Sequence, residues 1–189
     1  MDIKLKIIIA FIYLYGFFEI YMSVRQRRKR TVIKSGDRLS VWMLGIFIAI
    51  GYSLSFCIAA TKTGRIYHWN TFFLIGIILI IIGLIIRINS ILTLRQYFTY
   101  TVTEIENHEL IESGLYKVIR HPAYLGQLII FTGVATSLSN WLSIICMIIS
   151  VSFGYIYRIK IEERFMAQQM GEKYRAYQAR TKKLIPFIY

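Results

Sequence analysis

Residues 71–94 run through isoleucine, leucine and phenylalanine with one charged side chain, Arg87, among them. A β-branched run can form a strand in a water-soluble core, but this one is too long and carries no turn signals. A helix of about 20 residues crosses the roughly 30 Å of a bilayer's hydrocarbon. In lipid, only a structure that satisfies its own backbone hydrogen bonds can span. The run therefore predicts a membrane helix, and it has company. Residues 3–24 are apolar apart from the lysines at their start, Glu19 and several tyrosines, and residues 41–60, 123–138 and 141–159 are apolar as well. Ser139 and Asn140 suit a tight turn, so the last two runs form a helical hairpin whose first arm is short. The expected fold is all-α: a polytopic membrane protein of about five transmembrane helices with a C-terminal helical region outside the bilayer. Residues 1–94 would hold three spans and residues 95–189 the functional part of one single domain. Gly171 reads as a helix stop, followed by a short helix over residues 172–180.

The formal net charge of +13 is distributed in blocks. Residues 25–38 hold seven lysines and arginines, residues 61–70 hold two, and the tail from Arg158 holds eight. The positive-inside rule then places the 25–38 loop, the 95–121 segment and the tail in the cytosol, with the N-terminus outside. Lys4 and Lys6 pull mildly the other way. The cluster Arg25, Arg27, Arg28, Lys29 and Arg30 faces anionic lipid headgroups in this reading. Nucleic acid is a poor partner, because the basic residues flank apolar segments instead of lining one soluble face. Cys57 and Cys146 lie within apolar runs, and His68, His108 and His121 lack the spacing of zinc ligands. Neither a disulfide framework nor a metal site is expected.

Three groups of residues could carry chemistry. The first is the stretch Gly114 to Gly126, G-L-Y-K-V-I-R-H-P-A-Y-L-G. Pro122 suits the first turn of a helix. His121 then stands at the helix entrance, where free N–H groups favour an anionic ligand group. An ordinary interfacial helix start would use similar residues. The second is R-I-K-I-E-E at residues 158–163. Arg158 and Glu162 are i, i+4 neighbours; they form either a surface salt bridge, or a guanidinium for a carboxylate or phosphate beside a carboxylate for a cation or hydroxyls. The third comprises Phe165, Tyr174 and Tyr177, which cap a ligand cavity or serve as packing and interfacial residues. Arg87 is either a snorkelling arginine or a partner for the acids of the 95–121 segment.

Taken in order, H-E-L-I-E-S-G-L-Y-K-V-I-R-H-P-A-Y-L-G from His108, then R-I-K-I-E-E, G-E-K-Y-R-A-Y and L-I-P-F, the sequence resembles the isoprenylcysteine carboxyl methyltransferase family. The resemblance covers roughly residues 95–189; the first three spans match only as hydrophobic segments. It implies an integral-membrane enzyme that uses S-adenosyl-L-methionine in a cytosol-facing pocket. By motif position, His108, Glu109, Leu110, Ile111, Tyr116, His121, Pro122, Ala123, Tyr124 and Glu162 would bind the cofactor. Arg158 would meet the acceptor's carboxylate, with Arg158 and Glu162 as the catalytic pair. A lipophilic substrate would enter sideways from the bilayer. Other readings stay open: a methyltransferase for amine phospholipids, a nicotinamide-dependent reductase of the membrane sterol type, and a non-enzymatic membrane scaffold. The oligomeric state has no signature in the chain.

Overall fold

The computed structural model describes residues 2–27, 32–35, 37, 39–101, 103–105 and 109–185. Its helices are α1 (Ile3–Arg27), α2 (Leu39–Ala59), α3 (Trp69–Leu94), α4 (Pro122–Ser137), α5 (Trp141–Met170) and α6 (Glu172–Arg180). Two short strands, β1 (Val32–Ser35) and β2 (Thr103–Ile105), pair antiparallel with Lys34 opposite Glu104. This ribbon is the departure from the expected all-helical chain, and the β-branched residues Val32, Ile33, Thr103 and Ile105 are those that favour such pairing. Among the described residues, α1, α2, α3 and α5 are long and apolar enough to cross a membrane. The fourth apolar run, α4, has 16 residues, about 24 Å of helix at 1.5 Å per residue.

Local chemistry explains where the helices begin and end. The Asp37 carboxylate accepts the N–H groups of Leu39 (2.8 Å) and Ser40 (3.1 Å) at the start of α2. Asn140 does the same for Ser143 (3.1 Å) at the start of α5. Pro122 opens α4 behind the cap residue His121. The apolar part of α5 ends near residue 159, yet the helix continues to Met170 through good helix formers. It stops at Gly171, whose φ of 55° suits only glycine comfortably.

Small residues set the packing, as expected where lipid supplies no hydrophobic drive between helices. Gly76 and Gly83 of α3 face Gly133 and Gly126 of antiparallel α4. A Cβ at Gly83 would lie 2.6 Å from the Gly126 carbonyl oxygen, and one at Gly133 would lie 2.7 Å from that of Gly76. Serines join α2 to α5: Ser55 and Ser143 each donate to the other's carbonyl (2.9 and 2.8 Å), and Ser150 donates to Phe47 (2.6 Å). Ile130, Val134, Met147, Val151 and Tyr155 are buried where α4 and α5 meet the bundle.

Helix α4 packs between α3 and α5 with most of its residues buried. Its C-terminal end meets the α2–α3 loop, where Ser139 exchanges bonds with Ile66 and Trp141 donates to Gly64. Lys4 of α1 joins the same end by bonding Asn70 and lying 4.7 Å over the Trp69 ring. The start of α2, residues 95–101 and 109–121, the C-terminal half of α5 and α6 gather at the opposite end.

Arg87 does not snorkel, and among the described residues its carboxylate partner comes from α1 instead of the 95–121 segment. It is buried, and its Nε and Nη2 donate to Glu19 of α1 at 3.2 and 3.0 Å. A carboxylate and a guanidinium placed in apolar helices can each lower the other's cost of leaving water.

Candidate active site

A cavity of about 860 Å³, measured to its open mouth, lies between residues 94–99, residues 109–124, the C-terminal half of α5 and α6. Leu94, Leu110, Ile111, Phe165 and Met166 give it an apolar lining, and Tyr97, Tyr116, Tyr124, Tyr174 and Tyr177 give it aromatic faces. Its polar groups are Glu109, Arg120, His121, Arg158 and Glu162.

Glu162 and Arg158 lie on successive turns of α5. The Tyr124 phenol donates to Glu162 Oε2 at 2.5 Å and accepts from Arg158 Nε at 3.3 Å. Arg158 also donates to Ser40 Oγ of α2, and its Nη2 donates to the Tyr100 carbonyl at 2.9 Å. Its approach to the Glu162 carboxylate is only 3.9 Å. The contrast with the other buried arginines is informative. Arg87 has the two-pronged contact with Glu19, and Arg120 Nε reaches Glu163 Oε1 at 2.6 Å. Arg158, 2% exposed, makes its hydrogen bonds to neutral oxygens instead, and Glu162 is its looser ionic partner beside the cavity.

A second cluster fastens α6 over the cavity. Arg120 donates to the carbonyls of Thr181 (2.5 Å) and Gln178 (3.2 Å) as well as to Glu163. His121 lies 3.3 Å from the same Glu163 oxygen and stacks on Tyr124 with ring centroids 5.4 Å apart. The backbone N–H groups of Arg120 and His121 donate to Lys182 and Lys183. Tyr177 donates to the Tyr116 carbonyl at 2.8 Å, and Arg180 reaches Glu112 at 2.5 Å. Burial first, then Glu162 for Tyr116 and Glu163 for Tyr174, pushes these phenols well above their ordinary range. Both therefore stay neutral hydrogen-bond donors.

Most of the motif residues converge. Glu109, Leu110, Ile111, Tyr116, His121, Ala123, Tyr124, Arg158 and Glu162 all border the cavity. Pro122 is fully buried behind the wall, as the first residue of α4. His108 lies outside the described residues, as do Arg28 to Arg30 of the basic cluster. Phe165, Tyr174 and Tyr177 line the cavity, although helical spacing alone favoured packing or an interfacial belt. Arg120 lay within the Gly114–Gly126 stretch but was given no role of its own, and the residues that motif reasoning passed over are Leu94, Tyr97, Phe98, Thr99 and Met166. Met166 stood close to the 158–163 motif. The others come from the turn after α3, which has no sequence signal of its own.

The residues that build this architecture, a membrane-helix bundle with one cavity wall built from an α4 entrance and an α5 extension, also carry a family match. A model of the phospholipid methyltransferase family matches residues 71–173, more than half of the sequence, and the chain belongs to that family. The match reaches back into α3, beyond the part that its motifs suggested. Among its relatives is protein-S-isoprenylcysteine O-methyltransferase B of Arabidopsis thaliana, 34% identical over 60% of this chain and 58% of that protein. The enzyme named protein-S-isoprenylcysteine O-methyltransferase in Tribolium castaneum is 29% identical over 74% of this chain and 54% of its own length. In structure, the chain resembles the eukaryotic intramembrane Ras methyltransferase ICMT (isoprenylcysteine carboxyl methyltransferase) with a TM-score of 0.56. That match has 25% identity and covers 82% of this chain and 55% of the other. The chain thus spans little more than half the length of these relatives.

Proposed function

We propose that the protein transfers a methyl group from S-adenosyl-L-methionine to the carboxylate of a prenylated cysteine or a similar lipid-like acid. The observation that carries this reading is Arg158: a buried guanidinium beside a cavity, hydrogen-bonded to hydroxyls and a carbonyl, with the nearest carboxylate, Glu162, held off at 3.9 Å. An incoming carboxylate completes that environment, and a planar two-pronged donor suits it better than lysine would. The names of the relatives point to the same acceptor.

The cavity also suits the methyl donor. Aromatic faces accommodate a flat base, and Glu162 with the tyrosine rings favours a cation. When bound, S-adenosyl-L-methionine supplies an electrophilic methyl on a positively charged sulfur. Glu109, Leu110, Ile111, Tyr116, His121, Ala123 and Tyr124 line its site in this reading; Pro122 fixes the start of α4, and His108 adjoins the same wall in sequence. A carboxylate acceptor is ionised near neutral pH, so no general base is required. Arg158 holds the acceptor oxygen in line, while the apolar walls exclude water. The charge pattern supports a cytosol-facing cavity, an N-terminus outside, anionic lipids against the basic cluster and entry of the acceptor from the bilayer.

The test is methyl transfer by the protein in nanodiscs, with labelled donor and a panel of farnesylated and geranylgeranylated cysteines, fatty acids and phosphatidylethanolamine. Label on a prenylated cysteine or fatty acid, released as methanol by base, is expected. Base-stable label on the amine lipid alone, or no transfer to any acceptor, overturns the reading.

A further inference from the structure

Glu19 lies well inside α1, outside the family-matched residues 71–173. Its two oxygens accept from Tyr15 (2.5 Å), Tyr100 (2.6 Å), Gln127 (3.2 Å) and twice from Arg87. A carboxylate offers about four lone-pair sites, so Glu19 is saturated. Neutralising Arg87 needs only two of those contacts. The Tyr100 contact does something else. Tyr100 sits in the irregular segment after α3, where Arg95 has a φ of 48°. Its phenol is fixed to Glu19, and its backbone carbonyl accepts from Arg158 Nη2 at 2.9 Å. The other acceptors of Arg158 are the hydroxyls of Tyr124 and Ser40, which can rotate; the carbonyl points in one direction.

We propose that Glu19 is a positioning residue for Arg158, anchoring the Tyr100 phenol so that the Tyr100 carbonyl orients the guanidinium toward the acceptor. The first helix thereby becomes part of the active site without touching the cavity. A polar residue inside a membrane helix is expensive, and this contact gives the Glu19–Arg87 pair a purpose beyond mutual neutralisation. The kinetic part rests on the methyl-transfer reading above; the positioning part does not.

Tyr100→Phe is the cleanest test, because it keeps the ring, the backbone carbonyl and the Glu19–Arg87 pair. Glu19→Gln is the harsher companion, since it leaves Arg87 without its counter-charge. With arginine labelled with nitrogen-15, restricted rotation about the Arg158 Nε–Cζ bond gives distinct Nη1 and Nη2 signals, assigned by their loss in Arg158→Lys. The expectation for Tyr100→Phe is rotation about tenfold faster, the effect of losing one hydrogen bond's worth of order around a charged group. In active enzyme, kcat/KM for the prenylated cysteine falls about tenfold while the KM for the methyl donor holds. Unchanged Arg158 rotation overturns the proposal, and so does unchanged acceptor kcat/KM or an equal loss for donor and acceptor. Failure of the wild-type protein to methylate any acceptor overturns the proposed function alone, and the rotation measurement still decides the role of Glu19.

Discussion

The Tyr124 phenol stands between Arg158 and Glu162, donating to the carboxylate at 2.5 Å and accepting from the guanidinium at 3.3 Å. This hydroxyl bridges two charges on the same helix face whose own ion pair is loose, at 3.9 Å. An Arg–Glu pair closed on itself would leave no cation for an incoming acid. Tyr124→Phe removes the bridge but keeps the ring that stacks on His121. We expect kcat/KM for the acceptor to fall by about 10- to 100-fold through loss of alignment. Affinity for S-adenosylhomocysteine, titrated calorimetrically, should change by less than about threefold, below the net worth of a typical hydrogen bond. Full activity in this variant would mean that the phenol does not govern the pair.

Arg158→Lys keeps a positive charge at the site and loses the fork. Lysine cannot bond the Tyr100 carbonyl, Ser40 and an acceptor carboxylate from one rigid plane. Turnover should drop at least about 100-fold from misalignment of the reacting atoms. Product affinity should remain near that of the wild type, since this side chain meets the acceptor and not the donor. Turnover within a few-fold of the wild type would remove bidentate recognition from the mechanism.

Glu162→Gln separates charge from shape. The amide can still accept from Tyr124, but it no longer offers a negative charge to the cavity. S-adenosylmethionine carries a sulfonium and S-adenosylhomocysteine a neutral thioether. Binding of the first should weaken by about tenfold and of the second by clearly less, because only the first loses a Coulomb partner in a partly dry site. Equal weakening of both would assign Glu162 to hydrogen bonding or packing alone.

How much of this was legible in the residues differs by physical origin. Hydropathy revealed the membrane helices, and punctuation revealed their ends: Pro122 opens α4, and Gly171 stops α5 with a φ of 55°. The motif order, through the family resemblance, pointed to Arg158, Glu162, His121 and Tyr124 beside one cavity, and all four border it. Long-range partners were not legible. Glu19 is 68 positions from Arg87, and only the packed bundle shows that these two charges answer each other. The acids of the 95–121 segment were one of two readings for Arg87, snorkelling being the other, yet Glu112 pairs with Arg180 of α6. The β1–β2 ribbon escaped notice for the same reason: three or four residues with β propensity mean little until a distant partner arrives.

The glycines of α3 and α4 differ in what they tolerate, and this makes the packing testable. At Gly126 a Cβ would come within 2.8 Å of both the Arg87 nitrogen and the Gly83 carbonyl oxygen, and at Gly133 it would meet the Gly76 carbonyl oxygen at 2.7 Å. These are backbone atoms of the facing helix, so no side chain can swing away to make room. Gly126→Ala and Gly133→Ala must push α3 and α4 apart, at a cost of about 1–3 kcal/mol each. Gly16 of α1 and Gly45 of α2 have open space where a Cβ would go. Alanine there should leave stability unchanged or raise it slightly, because glycine is a poor helix residue. Thermal unfolding of the four variants in one detergent checks the contrast. The same Gly126→Ala shift should loosen Arg87 from the Ala123 carbonyl, now 3.3 Å away, and so reduce methyl transfer beyond the loss of folded protein. Equal melting temperatures for the Gly126 and Gly16 variants would rule out close α3–α4 backbone contact.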